Sequence, residues 1–246
     1  MKKLNRTLLT MAVIGLMASC NNPKGETVDA KDAKEVAEVS NTAVTYNIQS
    51  DQSMVKWVGS KPTGQHTGNI PVSQGSLSVK GDKLEGGKFT IAVNDLTITD
   101  LKEESEEYGK LKGHLMSGEF FGAEEYPTAK FEITGVKPFS EGSVEETEEY
   151  ETDYAPKTAT ENMVAGATHT ISGNLTMKGM TKNISFPAKV DMSNGMIKAN
   201  AKFNIDRTDW GVSYGDEAGA VDKAKDKFIY NTVNLDLSIA AQKTAS

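Results

Sequence analysis

Period-two alternation of apolar and polar residues recurs in segment after segment between Val44 and Ile239, and it restricts the chain to half-buried β-strands. Nine segments show it: Val44–Gln49, Met54–Gly59, Gly75–Val79, Lys88–Thr99, Thr128–Val136, His169–Met177, Asn183–Val190, Met196–Ile205 and Phe228–Ile239. Turn dipeptides separate several of them, among them Gly81-Asp82, Gly86-Gly87, Lys178-Gly179, Asn194-Gly195 and Gly215-Asp216. Asn194-Gly195, set between Val190 and Met196, makes Asn183–Ile205 the best hairpin in the chain. A single helix is expected over roughly Leu101 to Met116, where Leu101, Tyr108, Leu111 and Leu115 share one face. Glu103, Glu104, Glu106 and Glu107 crowd its first turns, next to the positive end of the helix dipole.

A run of antiparallel strands joined by short turns must hide its edges, and about eight strands closing on themselves is the standard solution. The fold expected is therefore all-β: a lipocalin-like antiparallel β-barrel of about eight strands with one short helix, occupying residues 44–242.

The residues before the barrel read differently. Lys2, Lys3 and Arg6 make a basic start, and Leu8 to Met17 form an apolar core too short to span a bilayer as a mature helix. Met17-Ala18-Ser19 then precede Cys20, the only cysteine. Small residues before a lone cysteine are the pattern of a bacterial lipoprotein signal, here residues 1–19, cut before Cys20 so that its thiol carries a diacylglycerol. The rival reading is an ordinary signal peptide followed by a chance cysteine. An unpaired thiol in an oxidising compartment favours acylation, and a single cysteine excludes any internal disulfide framework. Residues 21–43 are rich in Lys, Glu, Asp and Ala and lack aromatics, which reads, with the acylated Cys20, as a flexible linker over residues 20–43. The expected location is the bacterial cell envelope, anchored to the outer membrane and facing the periplasm or the cell surface.

Removing residues 1–19 takes three basic residues from 27, leaving 24 against 34 acids, a balance of −10. That charge argues against nucleic acid or an anionic membrane surface as a direct partner. The acids concentrate in residues 140–162, where eight of them face Lys157 alone. This excursion reads as a solvated loop inserted between two strands. It lacks the oxygen-and-glycine spacing of a calcium loop.

Catalytic equipment is scarce. His66, His114 and His169 lie in distant segments without zinc spacing, and the chain has no nucleophile elbow, phosphate-cradling loop or dinucleotide fingerprint. No enzyme and no cofactor is expected. The alternating strands supply instead an apolar barrel interior, which either fills itself or holds one elongated ligand. Small residues such as Ala188, Ala199, Ala201 and Gly173 leave room, whereas Trp57, Phe89, Phe131, Phe186, Phe203 and Phe228 fill it.

Four ordered motifs add a resemblance. Tyr46-Asn47-Ile48 with Met54-Val55-Lys56-Trp57 is the first, and Gly113-His114-Leu115-Met116-Ser117-Gly118-Glu119-Phe120-Phe121 followed by Tyr126-Pro127-x-Ala129-x-Phe131 is the most specific. Gly173-Asn174-Leu175-Thr176-Met177-Lys178-Gly179-Met180-Thr181-Lys182 and Phe203-Asn204-Ile205-Asp206-Arg207-Thr208-Asp209-Trp210-Gly211 complete the set. Together they resemble the YceI-like family of lipid- or polyisoprenoid-binding proteins. The resemblance implies a barrel that binds or carries a polyisoprenoid or quinone-like amphiphile, without turnover. The lining residues then expected are Trp57, Phe89, Ile91, Leu115, Phe120, Phe131, Leu175, Phe186, Phe203 and Phe228, with His114 near the ligand's polar end. The partners expected are this lipid and a membrane reached through the acyl anchor, with a homodimer left open. The alternative is a ligand-free, packed barrel that recruits a basic partner through its acidic helix and loop.

Overall fold

A computed structural model describes residues 27–140, 152–217 and 228–244. The signal segment, Cys20 and the centre of the acidic loop, residues 141–151, lie outside the described residues.

Among the described residues, eleven strands, all paired antiparallel, form one sheet. They are β1 (Lys31–Asp32), β2 (Val44–Ile48), β3 (Met54–Lys61), β4 (Gly64–Lys80), β5 (Lys83–Ile91), β6 (Thr97–Ile98), β7 (Ala129–Pro138), β8 (His169–Met177), β9 (Met180–Ser193), β10 (Met196–Asp206) and β11 (Thr232–Lys243). β2 and β3 act as one wall strand interrupted by a turn at residues 50–52. Ser53 bridges the break, its Oγ donating to Ala240 O (3.3 Å) and accepting from Ala240 N (3.0 Å). Around the barrel the order is β2/β3, β4, β5, β7, β8, β9, β10, β11 and back to β2/β3, an eight-stranded closure. The expected fold is the one observed.

The boundaries shift for local reasons. β4 runs from Gly64, eleven residues before the expected start at Gly75, because Gln65, His66, Thr67, Gly68 and Asn69 carry little alternation yet pair fully with β3. β5 begins at Lys83 and stops at Ile91, where a turn at residues 93–95 leads into the two-residue β6. β11 starts at Thr232 and not at Phe228. At Asn194-Gly195 both residues take positive φ, 53° and 72°, as a two-residue hairpin requires.

The helix α1 (Glu106–Met116) starts later than residue 101, because the Ser105 side chain caps it by accepting from Tyr108 N at 3.1 Å. Tyr108 and Leu115 are its buried residues, so α1 and the turns around it plug one end of the barrel. Trp210 is fully buried beside them and donates from Nε1 to Leu175 O at 3.0 Å. Arg207 fixes the same end by donating to Tyr230 O (3.2 Å), Ile229 O (3.0 Å) and Val212 O. Burial lowers its pKa, against the opposing effect of nearby Asp206, Asp216 and Glu217. Its network of carbonyl partners is what makes a buried guanidinium tolerable. The opposite end carries the β4–β5, β7–β8 and β9–β10 connections.

Residues 27–43, expected to be part of a flexible linker, lie against the outside of the barrel. Lys31 and Asp32 pair with Asn183 and Lys182 of β9. Asn174 of β8 grips Lys34 at both main-chain groups, accepting from its N at 3.0 Å and donating to its O at 2.6 Å. Ala37 N donates to Ile133 O at 3.1 Å, and Ser40 donates from N and Oγ to Glu85 at 3.0 and 2.9 Å. The part of the acidic excursion that is described is held in the same way on β10 and β11. Asn234 accepts from Lys157 N (2.9 Å) and donates to Lys157 O (2.9 Å), and Asn204 donates to that same oxygen at 2.8 Å.

Candidate functional site

The inward residues of the strands form one continuous apolar core, which holds a partly open cavity of about 40 Å³. Phe89, Phe131 and Phe186 face the void together with the small residues Ala188, Ala199 and Ala201. Leu77, Leu84, Ile133, Ile171, Leu237 and Ile239 close its far side. The aromatic residues form a ladder across the lumen. Phe89 stacks on Phe131 at 5.3 Å, Phe131 meets Phe186 at 5.6 Å, and Phe186 lies flat on Phe203 at 4.2 Å. Gly173 makes the ladder fit, since a Cβ there would fall 2.2 Å from Phe131 Cζ.

Phe89, Phe131 and Phe186 line this cavity, and Phe203 backs it through Phe186. Trp57, Leu115, Phe120 and Leu175 belong to the same buried core without lining the void. Ile91 is partly buried and also packs against a small satellite cluster of Val93, Ala123 and Ala129. Phe228 is buried but lies outside the core cluster, edge-on to Tyr230 at 5.0 Å. It precedes β11, so no strand alternation directs it inward.

His114 sits in the last turn of α1 between Phe120 and Tyr214, with ring centroids 5.0 and 4.5 Å away, and is partly exposed. Its Nε2 is 3.4 Å from Glu119 Oε2. His66 is bonded through Nδ1 to Asp100 Oδ2 at 2.8 Å. Burial alone would raise the pKa of Asp100, but bonds from Thr67 N and His66 outweigh it and hold the carboxyl below its ordinary value. His66 is therefore committed to a local contact. Among the described residues three buried polar atoms have no hydrogen-bond partner: Trp57 Nε1, Ser60 Oγ and His114 Nε2. The indole packs flat against Gly68, where a Cβ would approach its ring to 2.5 Å.

Among the described residues no group of three or more His, Cys, Asp or Glu could hold a metal ion, and no helix is long and apolar enough to cross a membrane. Leu77 and Leu84 were not anticipated as lining residues, although Leu77 falls in an expected strand and alternates with Val79. Leu84 lies between two turn dipeptides, which hide its strand.

A closed eight-stranded antiparallel barrel with an apolar, aromatic-lined interior and a helical plug defines a lipocalin-like class of protein. Within it, the YceI-like domain model matches residues 46–241, and the chain belongs to that family. Solved structures agree on the fold. BcnA of Burkholderia cenocepacia superposes with a TM-score of 0.54 at 16% identity, covering 79% of this chain and 99% of that one. A polyisoprenoid binding domain from Saccharophagus degradans, implicated in plant cell wall breakdown, gives a TM-score of 0.51 at 15% identity, covering 82% and 99%. The YCEI protein of Campylobacter jejuni is also similar, with a TM-score of 0.42, 16% identity and coverage of 71% and 84%. A comparison with curated proteins finds no match.

Proposed function

We propose that the chain is an acylated envelope lipoprotein whose barrel shelters the apolar tail of an isoprenoid or quinone-like amphiphile. The observation that carries this is the partly open cavity between the aromatic ladder and the three alanines, inside the apolar barrel. The polyisoprenoid binding domain of similar fold supports the ligand class. Moving apolar surface out of water is worth roughly 25 cal/mol per Å², so a long prenyl tail has ample driving force to enter. A void of about 40 Å³ is far below the ~300–1,000 Å³ of ordinary ligand cavities, so the tail enters by displacing Phe186 and its neighbours.

Trp57 Nε1–H supplies a polar contact for the head. An unpaired buried donor costs about 1–3 kcal/mol, which an oxygen on the ligand recovers. Cys20 supplies the anchor. The eight residue-to-residue steps from Cys20 to Val28 reach at most about 29 Å, which keeps the β10 side of the barrel close to the membrane.

Two experiments test this reading. Phe131→Asp or Phe203→Asp abolishes prenol uptake in a protein that still folds, and unchanged uptake contradicts the lumen as the site. Metabolic labelling with an alkyne fatty acid marks the wild-type chain and not Cys20→Ser; equal labelling contradicts the anchor. The small size of the void favours a second reading, a packed barrel that carries no lipid and acts through its acidic helix and loop. A salt-sensitive basic partner lost on deletion of residues 140–162 supports that one.

A further inference from the structure

Two seams of the barrel wall are only partly paired. β5 and β7 pair over four residues, from Lys88↔Glu132 to Ile91↔Ala129, although both strands continue beyond Lys88 and Glu132. β9 and β10 pair only from Ala188↔Ala201 to the hairpin, so residues 180–187 and 202–206 splay apart. By contrast, β10 and β11 pair over their whole shared length, as do β8 and β9.

The N-terminal segment lies over both splays. Val28 N donates to Asn204 O at 2.8 Å on one lip of the β9–β10 gap, while Lys31 and Asp32 pair with β9 on the other. Val28 and Ala30 pack against the barrel core. Further along, Ala37 bonds Ile133 of β7, and Val39 lies 3.0 Å from the Cβ position of Gly86 on β5. The segment precedes residues 46–241, those matched to the family.

We infer that residues 28–40 are a detachable strap, and that the β9–β10 gap beneath it is the portal through which the apolar tail passes into the lumen. The stacked pair Phe186 and Phe203 comes from the two strands that bound this gap, and Phe186 lines the void. Most of the strap's anchoring is polar and reversible: the Asn174 grip on Lys34 and the Ser40 bonds to Glu85. Peeling it withdraws only two small side chains, Val28 and Ala30, from the barrel core and no aromatic one, so opening is far easier than separating two fully paired strands. This inference rests on the lumen binding an apolar tail.

The test locks the strap. Lys31→Cys with Asn183→Cys, placed at directly paired positions in a Cys20→Ser background, forms a disulfide across strap and β9. The probe is dansyl-labelled geranylgeraniol, transferred from phosphatidylethanolamine vesicles and followed by fluorescence. The oxidised protein is expected to load about tenfold or more slowly than the same protein reduced, the effect of ~1.4 kcal/mol on the opening step. Asn174→Ala, which frees Lys34, is expected to load faster than wild type. Equal rates for oxidised, reduced and Asn174→Ala proteins overturn the portal while leaving lumen binding intact. Failure of the disulfide to form overturns the seating of the strap. No loading by the wild type overturns the lumen reading and the portal together.

Discussion

Phe186 and Phe203 lie face to face with centroids 4.2 Å apart and planes 4° from parallel, although the strands carrying them are no longer paired at that level. The stack thus takes over, inside the barrel, the contact that the main chain gives up in the wall. Once the N-terminal segment is lifted, such a seam can open without breaking a ladder between β9 and β10.

Phe186→Ala is expected to destabilise the lipid-free protein by about 3–5 kcal/mol, the cost of a large cavity in a packed core. Geranylgeraniol is expected to restore part of that loss by filling the space. Urea unfolding with and without the prenol measures both; a destabilisation that the prenol leaves untouched argues that the lumen does not admit it.

The barrel was legible because inward and outward positions alternate so regularly on β7 to β10. Phe131, Phe186 and Phe203 could be placed inside from that alternation alone. The strap was not legible, because only Lys31 and Asp32 pair as strand and the rest of the segment is held by isolated main-chain bonds at Val28 and Ala37 and by side chains distant in sequence. The asparagines that hold it illustrate why. Asn174 and Asn183 sit at outward positions, where a polar residue reads as solvent-facing, yet both are buried beneath a chain that arrives from 140 residues away. Phe228 was misjudged for the opposite reason, since it looked like the first residue of a strand that starts only at Thr232.

Gly173→Ala drives a methyl group to within 2.2 Å of the Phe131 ring, so the ring must move off its stacks with Phe89 and Phe186. A loss of about 1–3 kcal/mol is expected from such overpacking. Adding Phe131→Leu relieves the clash, so a double-mutant cycle by thermal unfolding should show strong coupling between the two positions.

Asn234→Ala removes both bonds to Lys157 and one to Asn204 Oδ1, leaving main-chain groups with fewer partners under the docked loop. A cost of about 1–3 kcal/mol is expected. Hydrogen exchange should show loss of protection at the Lys157 amide while the β8 and β9 amides keep theirs.

Trp57→Phe keeps an aromatic ring over Gly68 but removes the unpartnered Nε1–H. Affinity for a prenol or quinone is expected to fall by about tenfold, near the ~1–1.5 kcal/mol of a buried hydrogen bond, while affinity for the oxygen-free hydrocarbon squalene stays unchanged. Equal losses for all three ligands in a fluorescence titration would remove Trp57 from contact with the polar end.

The Glu85 carboxyl has its pKa lowered, chiefly by the bond from Ser40 N, with the Ser40 hydroxyl and Lys80 assisting against desolvation. A lowered acid pKa means that its contribution to strap docking is present above the ordinary carboxylate range and is lost as pH falls through the folded value. The protection factor of the Ser40 amide, corrected for intrinsic exchange, is therefore expected to drop on acidification. In Glu85→Gln that protection should be lower at neutral pH and insensitive to acid.

The central claim is that the barrel holds a lipid tail, and native mass spectrometry with organic extraction tests it most directly. The measurement uses residues 21–246 purified from a bacterial envelope without detergent. A discrete added mass that extracts as a prenol or prenylquinone is the expected result. A bare chain that stays bare after incubation with such lipids contradicts the account and makes the barrel a packed scaffold.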